Sequence, residues 1–296
     1  MRELRGEEGE ARTLPEALAA TPDDAERGFR FIGPRGSMRY LSFAALRAEA
    51  TQRARRLVGM GSSEGSCVAL VADDNMEFVL SFLAVSIAGL VPVPIHPRSR
   101  FQDLSAYRQS VAHIVQAASA SKLLTTDNLL PNLGSLEGLR LSDGSVLERV
   151  FSVEDLERCA PASDELPTTS PSDLCFLQFT SGTVSEPKGV CVTHANLIAN
   201  ARASWGPCPG LERNDKDVAV AWLPLFHDMG LIGFVLGPII CDVPVVLLST
   251  EAFARRPSVW LEALSRYRGT ITFAPNFAYD FATKQIRDRD LEGIDL

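Results

Sequence analysis

The sequence lacks the marks of several protein classes. Its six cysteines, Cys67, Cys159, Cys175, Cys191, Cys208 and Cys241, include no C-x-x-C pair, and four of them sit in apolar stretches. That pattern predicts buried structural thiols in a reducing compartment rather than a disulfide framework or a zinc site. Basic charge is not in excess: 29 Lys and Arg stand against 37 Asp and Glu, a net charge of −8. A uniformly acidic chain does not release counterions from a phosphate backbone, so no nucleic-acid partner is expected. The first eight residues mix charges without an apolar segment, which predicts no secretory signal and a cytoplasmic location. No repeat or low-complexity tract is present. Hydrophobic residues at 46% and charged residues at 22% fit a globular chain.

Long apolar runs are scarce, and the two that exist are broken. Phe78 to Ile95 carries no charge, but Gly89, Pro92 and Pro94 stop a helix near Leu90. Val218 to Leu248 is interrupted by His227, Asp228, Asp242 and three prolines. Both read as core segments, and no membrane span is expected.

The pattern that remains is α/β. Ser42 is a candidate N-cap for a helix with Phe43, Leu46, Ala50, Ala54 and Leu57 on one face, ended by Gly59 and Gly61. Strands are expected at 67–71, 91–95 and 122–126, with helices at 77–90 and 104–118 between them. That alternation predicts parallel βαβ units with helices packed on the sheets. Residues 127–160 give only short apolar pieces, and 160–173 reads as a surface loop. Residues 1–12 are expected to form a flexible tail, followed by one domain over 13–296.

The chemistry concentrates after a strand, Cys175 to Phe179. Thr180-Ser181-Gly182-Thr183-Val184-Ser185-Glu186-Pro187-Lys188-Gly189 forms a hydroxyl- and glycine-bearing bend, read as lying between two core strands. A short strand, 190–192, and a helix starting near Asn196 follow it. Such a bend can aim several backbone N–H groups and one cation at a polyphosphate. A Walker P-loop is excluded by the Gly–Lys spacing, by the missing Ser or Thr after Lys188, and by Pro187.

This string resembles the phosphate-loop signature of the adenylate-forming superfamily, T-S-G-[ST]-T-G-x-P-K-G-V. Trp222-Leu223-Pro224-Leu225-Phe226-His227-Asp228-Met229-Gly230 and Ala274-Pro275-Asn276-Phe277-Ala278-Tyr279 are similar to the fatty acyl-AMP ligase branch. The family's second Thr and its following Gly are Val184 and Ser185 here, which removes one phosphate donor and stiffens the loop. The resemblance implies the N-terminal portion of the large AMP-binding domain. The C-terminal lid, its catalytic Lys and the Tyr-Gly motif are expected to lie outside these residues.

By the same resemblance, ATP and Mg²⁺ are the expected cofactors and a fatty acid the substrate, with an acyl carrier protein or polyketide synthase as acceptor. Thr180, Ser181, Gly182, Thr183, Lys188 and Gly189 match the phosphate cradle, and Lys188 and His227 are the candidate catalytic residues. Asp228 either orients that imidazole or caps a helix. The run Leu231 to Leu236 is a candidate acyl wall that core packing explains equally well, and Phe277 and Tyr279 are the expected acyl-pocket residues. No residue is expected to bind metal directly. His194 is expected to fix loop packing, and His96 and His113 to be structural. An acyl-CoA synthetase fragment and a non-catalytic nucleotide- or partner-binding domain are the competing readings.

Overall fold

The computed structural model describes residues 10–99, 101–162, 165–180, 188–206 and 214–296. Its strands are β1 (Gly28–Ile32), β2 (Met38–Ser42), β3 (Cys67–Leu70), β4 (Val91–Pro94), β5 (Lys122–Thr125), β6 (Arg149–Ser152), β7 (Leu174–Thr180), β8 (Lys188–Thr193), β9 (Ala219–Ala221) and β10 (Val245–Leu248). The helices are α1 (Leu14–Ala19), α2 (Phe43–Gly59), α3 (Asn75–Ile87), α4 (Leu104–Ala117), α5 (Leu130–Leu133) and α6 (Val153–Arg158), then α7 (His194–Trp205), α8 (Asp228–Leu231), α9 (Gly237–Ile240), α10 (Thr250–Arg255), α11 (Ser258–Arg266) and α12 (Asn276–Gln285).

The expected βαβ pattern appears as a four-stranded parallel sheet in the order β4-β3-β5-β6. Both of its faces are covered, so its strands read as continuous apolar runs. Val68, Leu70 and Leu124 point to the larger core with α2 and α3. Ala69, Val71 and Leu123 point the other way, to Tyr107, Val111, Ile114 and Val115 of α4. Pro92 and Pro94 are tolerated because β4 is the sheet's edge. The ladder bonds there come from Val91 N–H to Ser66 O and from Ile95 N–H to Leu70 O.

A second sheet, β2-β1-β10-β9, is parallel except for the antiparallel β1–β2 pair. Phe29 and Phe31 of β1 enter the larger core, where Phe29 meets Phe43 edge-on at 5.9 Å. β7 and β8 form a separate antiparallel pair.

α2 starts where the sequence places it: Ser42 Oγ accepts from Ala45 N–H at 3.1 Å, and the five expected face residues are fully buried. α3 begins two residues before its expected start because Asp74 accepts from the N–H groups of Met76 and Glu77. It ends at Ile87, and Gly89 then turns the chain at φ +68°. No helix among the described residues is long and apolar enough to cross a membrane. At the start of the described residues, Glu10 pairs with Arg202 at 2.9 Å, and Arg202 also donates to Ala11 O.

Two expectations need correction. Of the thiols, only Cys175 is buried among the described residues; Cys67, Cys159 and Cys241 are half-buried and Cys191 is exposed. Cys191 is exposed because β8 pairs with β7 on one side and shows its other side to solvent. For the same reason the bend after Thr180 does not join two core strands. β7 carries buried Cys175, Phe176, Leu177 and Gln178, whereas Lys188 to Cys191 of β8 are exposed.

Candidate functional site

β7 runs from the core to the surface and ends at the exposed Thr180. Lys188 opens β8 directly opposite Thr180 in the antiparallel register. The two residues therefore stand at the two feet of the bend. Ser181, Gly182 and Thr183, with Val184 to Pro187, lie outside the described residues. Lys188 is exposed beside Thr180. Gly189 has a packing role, since a Cβ there would come within 3.0 Å of the Phe179 ring.

The second segment leaves β9 at Ala221. Trp222 stacks on Phe253 with ring centroids 3.6 Å apart, and Trp222 O accepts from the Thr250 hydroxyl. The chain then reverses: His227 N–H bonds to Pro224 O, and Leu231 N–H bonds to His227 O at 2.8 Å. Gly230 permits this turn, because a Cβ there would lie 2.3 Å from Pro224 O. His227 is exposed overall, but its ring leans on Phe226 at 4.7 Å. Partial burial lowers the imidazole pKa below its ordinary value; the Asp228 charge opposes that, and His96 adds to it. The ring is therefore neutral near pH 7. Asp228 is the first residue of α8 and its Oδ1 accepts from Met229 N–H at 2.7 Å; the N-cap position is His227, with no side-chain cap bond.

Two connections tie these segments together. Gln178, buried in β7 two residues before Thr180, donates from Nε2 to Phe226 O at 2.8 Å. His96, just past the C-terminal end of β4, sits 5.6 Å from the Tyr107 ring and 6.0 Å from the Phe226 ring. His96 and His227 thus follow the C-terminal ends of the parallel-sheet strands β4 and β9, the region where open α/β sheets bind ligands, and Thr180 ends the antiparallel strand β7. Sequence reading missed Gln178 and Phe226 and set His96 aside. The available signal was position after a strand, since His96 follows the apolar run Val91 to Ile95.

The acyl-pocket candidates meet two tryptophans, Trp222 and Trp260, that touch each other at 6.1 Å. Phe277 and Tyr279 are two residues apart on α12, so they face different directions. Phe277 is 64% exposed and meets Trp222 at 6.5 Å; Tyr279 meets Trp260 at 5.4 Å. Within the run from Leu231 to Leu236, Leu231, Phe234, Val235 and Leu236 are core, and residues Ile232–Leu236 form a π-helical turn. Only Ile232 and Gly233 remain partly open, with Gly233 against the Phe273 ring. His194 is fully buried, its Nδ1 accepting from Leu14 N–H at 3.1 Å. Among the described residues, no group of three or more His, Cys, Asp or Glu is placed to hold a metal ion.

The chain is 37% identical over 290 residues to a Caulobacter vibrioides (strain NA1000 / CB15N) protein named "Putative acyl-CoA synthetase", covering 96% of this chain and 48% of that one. It is 31% identical over 293 residues to the long-chain-fatty-acid–AMP ligase FadD26 of Mycobacterium marinum (strain ATCC BAA-535 / M), covering 96% and 49%. A solved structure of a fatty acyl-adenylate ligase from L. pneumophila, in complex with acyl adenylate and pyrophosphate, superimposes with a TM-score of 0.83 at 27% identity, over 99% of this chain and 50% of that one. The chain spans about half the length of the curated relatives it matches. The α/β architecture described above matches the N-terminal part of these enzymes. Residues 14–295 match the family described as AMP-binding enzyme, and the chain belongs to that family.

Proposed function

We propose that this chain is the nucleotide- and acyl-binding part of a fatty acyl-AMP ligase, which joins a long-chain carboxylate to ATP. In that reaction a carboxylate oxygen attacks the α-phosphorus, the bond to the β-phosphate oxygen breaks, and pyrophosphate leaves. Negative charge gathers on groups that are already negative, so positioning and charge stabilisation supply the catalysis. Thr180 and Lys188, with Ser181, Gly182, Thr183 and Gly189, are the proposed β/γ-phosphate contacts. Mg²⁺ would supply further charge neutralisation on the phosphate oxygens. His227, neutral near pH 7, is the proposed hydrogen-bond donor at the carboxylate and α-phosphate. Phe277, which meets Trp222, and Tyr279, which meets Trp260, are the proposed acyl-pocket residues.

The observation that carries this reading is the direct bond from Gln178 to Phe226 O, which joins the foot of the phosphate bend to the His227 turn. The names of the M. marinum and L. pneumophila relatives supply the substrate class, a fatty acid. An acyl carrier protein or polyketide synthase as acceptor, and a cytoplasmic location, belong to the same proposal. The Caulobacter relative's name favours a second reading, transfer to CoA. Acyl-CoA release by a longer protein carrying this chain would select it.

Binding is the test suited to this chain. Calorimetric titration with ATP and Mg²⁺ should give saturable binding. Lys188→Ala removes one charge-assisted contact worth about 1.5–3 kcal/mol, so Kd should rise roughly ten- to a hundred-fold. Absence of ATP binding, or equal affinity in the variant, refutes the phosphate role.

A further inference from the structure

We propose that Gln178 is a positioning residue that holds the His227 turn in register with Thr180 at the end of β7. The residue lies on β7 between Leu177 and Phe179, two positions before Thr180. Its neighbours in the strand, Cys175, Phe176 and Leu177, are buried and apolar, so packing alone asks only for another apolar side chain. An amide is there instead, 6% exposed. One end donates to Phe226 O at 2.8 Å. The other end, Oε1, is buried without a hydrogen-bond partner among the described residues. A buried amide used at one end only is costly, which makes the single bond to Phe226 the reason for its presence.

That bond has a geometric consequence. Phe226 precedes His227, and its ring meets the imidazoles of both His96 and His227. Fixing the Phe226 carbonyl fixes the ring, and the ring sets how much of the His227 imidazole is shielded. β7 also ends at Thr180, so one side chain references both the imidazole and the phosphate contacts to the same strand. Without the tether, the turn from Pro224 to His227 keeps its backbone bonds and the core packing of Leu225, but the Phe226 carbonyl loses its reference to β7. The use made of this alignment rests on the function proposed above; the tether itself does not.

The test needs no turnover. In the full chain, the C2–H resonances of the four histidines are titrated in wild type and in Gln178→Met, which keeps the side-chain length but cannot donate. The charged and titratable groups facing His227 are Asp228 and His96. Release of the turn should expose the ring, moving the His227 midpoint up toward the ordinary 6.5, while His194 stays in place. An unmoved His227 midpoint overturns the proposal. If His194 shifts as well, the variant has lost its fold, and a wild-type measurement decides. The Gln178 side-chain amide protons should then exchange with solvent far more slowly than those of exposed amides; exchange at the exposed rate overturns the tether. A titration with ATP and Mg²⁺ separates the two claims. A His227 shift in Gln178→Met with no ATP binding by wild type keeps the tether and removes the function. Bound ATP with an unmoved His227 does the reverse.

Discussion

His194 offers a direct test of how the N-terminal helix is held. Leu14 is the first residue of α1, and its N–H is one of the donors a helix cannot satisfy internally. The acceptor comes from far along the chain: His194 Nδ1, at 3.1 Å, on a ring that is 1% exposed. The ring is placed by its own neighbourhood. Thr193 and Asn196 form a capping box at the start of α7, and His194 N–H bonds to Asp173 O. His194→Ala would leave the Leu14 N–H buried and unpaired, costing about 1–3 kcal/mol before any void is counted. For a domain somewhat smaller than this chain, each kcal/mol lowers Tm by about 2–4 °C. His194→Asn places Oδ1 near the vacated Nδ1 position and should restore much of the loss.

The same bond sets a pH dependence. Burial lowers the His194 pKa below its ordinary 6.5, with Asp173 and Glu16 opposing it. The unfolded chain therefore binds the proton first as pH falls. The stabilisation is fully present above about 6.5 and is lost as pH drops through the folded-state value, at most about 1.4 kcal/mol per pH unit for one proton. Carboxylates contribute to acid sensitivity as well, so the diagnostic is the difference between proteins. Urea denaturation from about pH 7.5 to about pH 5.5 brackets the ordinary imidazole value. It should show wild type converging on His194→Asn at the low end, because the variant lacks this titration. Parallel curves for the two proteins, or a His194→Ala variant as stable as wild type, would show that the bond does not hold α1.

Two further outcomes probe the core that supports the site. Arg53 of α2 is mostly buried and pairs with Glu77 of α3 at 2.8 Å, with Glu157 of α6 at 3.7 Å. Arg53→Met should cost about 3–5 kcal/mol in urea denaturation by stranding Glu77, and adding Glu77→Leu should recover most of it; a neutral single variant would refute the pairing. Gly237→Ala puts a Cβ 2.5 Å from Trp205 Nε1 and 3.0 Å from Ile232 O. Overpacking of about 1–3 kcal/mol should outweigh the alanine's helix preference of about 1 kcal/mol, so a Tm at or above wild type would contradict the packing.

Local signals in the sequence fixed local structure. The cap at Ser42 and the spacing of Phe43, Leu46, Ala50, Ala54 and Leu57 are enough for α2, and glycine and proline bracket α3 and β4. The β1–β2 hairpin was less legible. Its turn at Gly33–Ser37 has a Pro-Arg-Gly-Ser signature, but β1 takes its parallel partner, β10, from beyond residue 240. Nothing in a five-residue window states that register. The apolar run Leu231 to Leu236 conceals its π-helical turn because its residues are apolar on every side.

The site divides along the same line. The phosphate bend is contiguous, so its composition alone directs attention to Thr180 and Lys188. The imidazole half is assembled from three strand ends far apart in the chain, with Gln178 of β7, His96 after β4 and Phe226 after β9 meeting around one backbone carbonyl and one ring. Gln178 inside an apolar strand is the residue that conflicts with its local pattern. A conflict of that kind is where a tertiary requirement overrides local preference, and here the requirement is the carbonyl next to His227. His96 follows by the same logic. Taken alone it is a half-buried histidine, but the Phe226 ring it packs against is the ring that shields His227. His96 therefore reaches the candidate site through the Phe226 ring, whereas the motif residues Phe277 and Tyr279 meet Trp222 and Trp260.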